Sequence, residues 1–142
     1  MQEEDVEILA RKVLHIISSL ETSKAKVILL DGDLGAGKTT FTKELASIIG
    51  IDKASVNSPT FTLKKEYSAA HSYFRKLIHI DAYRFSTPSE AKVLKLEDDL
   101  DEPYTIIAIE WPSKMKYMKA DVHLLFTVID DTTREVKIMY EE

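Results

Sequence analysis

Between an apolar run, Val27-Ile28-Leu29-Leu30, and a segment from Thr39 to Ile49 with helical spacing lies Gly32-Asp33-Leu34-Gly35-Ala36-Gly37-Lys38-Thr39. This satisfies the phosphate-binding pattern G-x-x-x-x-G-K-[ST]. The order strand, glycine loop, helix constrains the fold more than any other feature of the chain. Glycines let the backbone turn tightly with its N–H groups inward, so that they cradle phosphates. Lys38 then reaches the outer phosphates and the Thr39 hydroxyl ligates Mg²⁺. Thr40 offers a second hydroxyl to the innermost phosphate. The helix that follows starts at the phosphates, so its dipole favours an anion there as well, and Gly50 marks its end.

The rest of the chain reads around that loop. From Glu4 to Leu20 the apolar residues Val6, Leu9, Ala10, Val13, Leu14, Ile16 and Ile17 form a helical stripe, which predicts a packing helix. Ala54 to Leu63, rich in hydroxyls and interrupted by Pro59, predicts a loop leading into a strand through Tyr67. In phosphate-loop enzymes such a Ser/Thr-rich segment often orders over the γ-phosphate and Mg²⁺. Ser68 to Arg75 then reads as a hairpin turn. Leu77-Ile78-His79-Ile80-Asp81 and Thr105-Ile106-Ile107-Ala108-Ile109-Glu110-Trp111-Pro112 are apolar runs that each reach an acid near their carboxyl end. In open α/β sheets ligands bind at the carboxyl ends of the strands, so Asp81 and Glu110 are candidates for a Mg²⁺ shell opposite Thr39. Ser86-Thr87-Pro88-Ser89-Glu90 carries helix-start chemistry, and an outer helix is expected from there to Asp99. Val122 to Ile129 and Arg134 to Tyr140 flank Asp130-Asp131-Thr132-Thr133 as a β-hairpin.

The 142 residues suit one domain, 1–142, of three-layer α/β/α, phosphate-loop NTPase-like architecture. A mostly parallel central sheet with antiparallel C-terminal edge strands is expected. Cysteine is absent, which excludes disulfides, zinc–thiolate sites and thiol nucleophiles. The four histidines show no ligand spacing. A formal charge of −5 argues against a broad nucleic-acid surface, although Lys64-Lys65 and Lys114-Met115-Lys116 are local basic patches. No apolar run approaches the roughly 18 residues of a membrane span, and Met1 to Asp5 is acidic where a signal peptide is basic. A soluble, cytoplasmic protein with no membrane partner is the expectation.

On these residues alone three activities fit: an ATPase, a small-molecule or nucleotide kinase, and a nucleotide-gated binding module with little hydrolysis. Arginine separates the first two. Phosphoryl transfer needs cations around the γ-phosphate, and the chain holds only Arg11, Arg75, Arg84 and Arg134, with no cluster suited to a kinase lid. The same scarcity predicts slow hydrolysis in isolation. An Asn-Lys-x-Asp guanine signature is absent, which leaves adenine as the expected base.

Taken together, Gly32 to Phe41, Ser58-Pro59-Thr60-Phe61-Thr62-Leu63 with Glu66-Tyr67, His79-Ile80-Asp81-Ala82-Tyr83-Arg84 and Ile109-Glu110-Trp111-Pro112 resemble, in order and spacing, the bacterial TsaE (YjeE) family. Departures are mild: Ser23-Lys24 and Lys95 stand where the family usually has glycines. The resemblance implies an ATP-binding and ATP-hydrolysing subunit, with Mg²⁺. It would work with TsaD-like and TsaB-like proteins, which form N6-threonylcarbamoyladenosine on tRNA, and would touch tRNA only indirectly. It also implies roles: Lys38 and Thr39 as phosphate and Mg²⁺ ligands, Asp81 as the Walker-B-like carboxylate and Glu110 as the group orienting the attacking water, the last two being interchangeable. Thr60 resembles a switch residue. Trp111 is placed to pack beside the nucleotide, though a Trp after a strand is more often a core residue, and Arg84 fits either the phosphates or a local carboxylate.

Overall fold

The computed structural model describes residues 3–20, 24–32, 37–56, 64–81, 99–111, 120–130 and 133–140. Its elements in chain order are α1 (Glu3–Ser18), β1 (Lys26–Gly32), α2 (Lys38–Ile48), a short 3₁₀ turn (Lys53–Ser55), β2 (Lys64–Ser68), β3 (Lys76–Asp81), β4 (Thr105–Trp111), β5 (Val122–Val128) and β6 (Arg134–Tyr140). The outer helix expected from Ser86 to Asp99 and the loop expected from Ala54 to Leu63 lie outside the described residues except for Asp99 and for Ala54 to Val56.

All six strands form one sheet in the order β2-β3-β4-β1-β5-β6. The four inner strands are parallel to their neighbours, while β2 on β3 and β6 on β5 are antiparallel. The sheet is therefore mostly parallel, as expected. The C-terminal hairpin divides: β5 joins the parallel set beside β1 and only β6 is an antiparallel edge. The hairpin over Ser68 to Arg75 supplies a second antiparallel edge, β2.

A parallel strand covered on both faces has no polar side to spare, and every residue of β1 is buried. Its alternation feeds two cores. Ile28 and Leu30 join Leu77, Ile106 and Ala108 against α1 and α2, which contribute Val6, Ala10, Val13, Ile17, Phe41, Leu45 and Ile49. Val27 and Leu29 join Ile78, Ile80, Ile107 and Ile109 on the opposite face, where Leu100 and Ala120 also pack. The α1 stripe thus faces α2 and the sheet, while its outer side carries the exposed pair Arg11 Nη2 to Glu7 Oε1 at 3.1 Å. At the foot of β1 the Val27 N–H donates to Asp121 Oδ2 at 2.7 Å, which fixes the start of β5 against β1.

Candidate active site

The site is built where β1 hands the chain to α2. Gly32, the last residue of β1, has φ +145°, and a Cβ there would lie 2.3 Å from the carbonyl oxygen of Phe126 on β5. Only glycine allows this close approach of two backbones, so the first glycine of the loop is also the clamp between β1 and β5. Gly37 sits in the left-handed region, φ 106°, as the N-cap of α2, and no side chain caps the helix. No acid occupies the first turn. The uncapped N–H groups, with no acid from the helix's own first turn, leave this helix start suited to an anion. Gly37 does accept at its carbonyl from the Phe41 N–H at 2.9 Å, closing the first turn.

Lys38 is buried, and its ammonium donates back to the carbonyl oxygen of Gly32, bridging the two ends of the loop. Thr39 Oγ1 donates to Glu110 Oε1 at 3.3 Å, joining α2 to the carboxyl end of β4. Glu110 is buried, and its second oxygen, Oε2, lies 3.9 Å from His79 Nε2. Thr42 Oγ1 donates to the Lys38 carbonyl at 3.1 Å and steadies the helix start. Thr40 is exposed on the same turn.

Backbone register adds the remaining candidates. Asp81 pairs with Glu110 across β3 and β4, and Trp111 pairs with Asp31 across β4 and β1. The carboxyl ends of β1, β3 and β4 therefore stand side by side, with neighbouring strands about 4.8 Å apart. Folding brings together Gly32, Gly37, Lys38, Thr39 and Glu110, with the backbones of Asp81 and Trp111. Asp33, Leu34, Gly35, Ala36, Thr60 and Arg84 lie outside the described residues.

Among the described residues no group of three or more His, Asp and Glu could hold a metal by itself. Mg²⁺ is usually held by one or two carboxylates plus substrate phosphates and waters rather than by an all-protein cage. Thr39 and Glu110, one hydroxyl and one carboxylate in contact, form such a partial set.

Two of the four arginines stand away from the site. Arg11 pairs with Glu7 on α1. Arg75 precedes β3 at the opposite end of the sheet, its guanidinium 5.5 Å from the Tyr104 ring centre. That end carries a pocket of about 470 Å³ lined in part by Glu66, Arg75, Lys76 and Glu102. Lys76 lies 2.6 Å from Glu102 there, and the hydrogen bond to that carboxylate holds its pKa above the usual lysine value.

Two features of the site take no role from a motif. His79 carries as its only local signal a polar residue in an apolar strand. The buried Asp31, beside the loop, lies 3.5 Å from His123 Nε2; the partner sits on β5, and nothing in the local sequence links the two.

The family model described as "Threonylcarbamoyl adenosine biosynthesis protein TsaE" matches residues 1–138. Similar proteins named as tRNA threonylcarbamoyladenosine biosynthesis protein TsaE include that of Aquifex aeolicus, 36% identical over 96% of this chain and 90% of its own. That of Haemophilus influenzae is 33% identical over 91% and 79%, and that of Nostoc sp. 37% identical over 88% and 76%. Among solved structures, Bacillus subtilis YdiB superposes with a TM-score of 0.59 over 99% of this chain and 81% of its own, at 23% identity, which speaks to fold. No helix among the described residues is long and apolar enough to cross a membrane.

Proposed function

The chain belongs to the TsaE family of threonylcarbamoyl adenosine biosynthesis proteins, and from that membership we propose that it is an ATPase supporting the formation of N6-threonylcarbamoyladenosine on tRNA. The observation that carries this reading is the Thr39–Glu110 contact beside the Lys38 bridge. A loop that only bound phosphate would need no buried carboxylate at the threonine.

In this reading the unit spanning 1–142 holds ATP on the N–H groups of Gly32 to Thr40. Lys38 leaves Gly32 for the outer phosphates. Thr39 and one of the two carboxylates, Asp81 or Glu110, would hold Mg²⁺, which when bound would neutralise phosphate charge. Glu110 completes that shell or orients the attacking water; Asp81, its register neighbour, takes the other task. Thr60 closes as the switch residue and Trp111 stands beside the nucleotide. Arg11 and Arg75 stand elsewhere, and a chain with so few arginines left for the γ-phosphate supports slow hydrolysis until partners act. Those partners are TsaD-like and TsaB-like proteins, with tRNA contact indirect.

The test is ATP hydrolysis by the isolated chain and with the TsaD–TsaB pair and tRNA. Slow release of phosphate alone, raised by the partners and strongly lowered but still measurable in Glu110→Gln, is expected. Turnover of tens per second in isolation, or transfer of the phosphoryl group to a nucleoside or monophosphate, would overturn the proposal.

A further inference from the structure

Leu77, Ile78 and Ile80 make β3 an apolar strand, yet His79 lies among them with no exposure to solvent. An aliphatic side chain would pack that position without a polar ring to satisfy, so the imidazole calls for a reason. In register His79 pairs with Ala108 on β4, and Glu110 is two residues further along the same face. Diagonal neighbours on a sheet face meet through long side chains, and the residue directly opposite His79 is the small Ala108. Nε2 accordingly reaches to 3.9 Å from Glu110 Oε2, while Oε1 of the same carboxylate accepts from Thr39 at 3.3 Å.

We propose that His79 is the positioning residue for Glu110, its Nε2–H holding Oε2 so that Oε1 stays turned toward Thr39 and the phosphate loop. This rests on the hydrolytic reading above and deepens it. A carboxylate at a strand end can rotate, and one held at a single oxygen presents its lone pairs in several directions. Engaging the second oxygen leaves one orientation, which is the preorganisation a metal-shell or water-orienting group needs. Nε2 and Oε2 face each other at 3.9 Å. Here a shortening of about 1 Å makes a charge-assisted hydrogen bond.

The test uses the full chain with His79→Leu, His79→Gln and His79→Asn, each also in a Glu110→Gln background. His79→Leu is expected to lower kcat for ATP hydrolysis roughly ten- to a hundredfold with KM changed less than about threefold. His79→Gln, whose amide nitrogen reaches the Nε2 position, recovers most of the rate, and His79→Asn, whose amide stops at Nδ1, does not. With Glu110→Gln present, His79→Leu has no further effect, because both act through one group. Independently of turnover, NMR of the protein loaded with Mg²⁺ and a non-hydrolysable ATP analogue should show a downfield Nε2 proton of His79 that is lost in Glu110→Gln.

Additive losses, equal rescue by Asn and Gln, or a downfield proton unchanged by Glu110→Gln would overturn the positioning role. If His79→Leu fails to fold, the Gln and Asn pair decides. A wild-type chain without hydrolysis, alone or with partners, sinks the ATPase reading, whereas full activity in His79→Leu beside a strongly impaired Glu110→Gln sinks only the role of His79.

Discussion

Gly32 does two things with one missing side chain: it opens the phosphate loop and lets β1 lie against β5. Gly32→Ala places a Cβ 2.3 Å from Phe126 O and 2.9 Å from Phe126 Cβ at φ +145°, so the strands must part or the backbone must strain. A loss of about 2–4 kcal/mol in urea unfolding is expected, with nucleotide binding weakened in the fraction that folds. Lys38→Met keeps most of the buried stem and removes the charge. Calorimetry should show nucleotide affinity down by roughly ten- to a hundredfold, the worth of hydrogen bonds from a charged donor. Lys38 and Thr39 were legible in the sequence because the loop motif fixes them locally. The partner of Thr39 was legible only as a type, an acid near the end of an apolar run. Its contact with Glu110 spans 71 residues of sequence and depends on which strand lies beside β1, which no local pattern states.

At the level of elements, periodicity carried the reading well where packing is one-sided. The α1 stripe names its own core, and the structure buries Val6, Ala10, Val13 and Ile17 while leaving Ile8 66% exposed. Ile17→Ala should therefore cost about 2–5 kcal/mol in urea unfolding, and Ile8→Ala within about 0.5. Equal effects would mean that α1 does not dock through this face. Strand existence was equally plain, but strand partnership was not. β5 alternates buried and half-buried residues from Val122 to Phe126, a pattern that suits an antiparallel edge and a parallel strand alike. Tertiary competition for the open side of β1 placed it, with the Val27 N–H on Asp121 setting the register. His79 was unreadable for a similar reason: a polar residue in an apolar strand shows its purpose only when the neighbouring strand brings Glu110 to it.

Across the whole molecule, the carboxyl ends of β1, β3 and β4 and the start of α2 form one edge of the fold, so a ligand bridging them links distant parts of the chain to global stability. Binding to the folded state alone stabilises by RT ln(1 + [L]/Kd), about 2.7 kcal/mol at a hundredfold excess over Kd. For a chain of this size that is a rise in Tm of roughly 5–10 °C. We expect such a rise with Mg²⁺ and a non-hydrolysable ATP analogue, and a smaller one when the metal is chelated at the same free nucleotide concentration. The difference between the two is the part carried by the metal shell. Whichever of Glu110→Gln and Asp81→Asn removes the metal-shell carboxylate should abolish that difference and keep the metal-free shift, whereas Lys38→Met should diminish both, as expected of an ammonium that serves the phosphates with or without the metal. A shift indifferent to chelation would take Thr39, Asp81 and Glu110 out of a metal shell and leave the loop as a phosphate cradle alone.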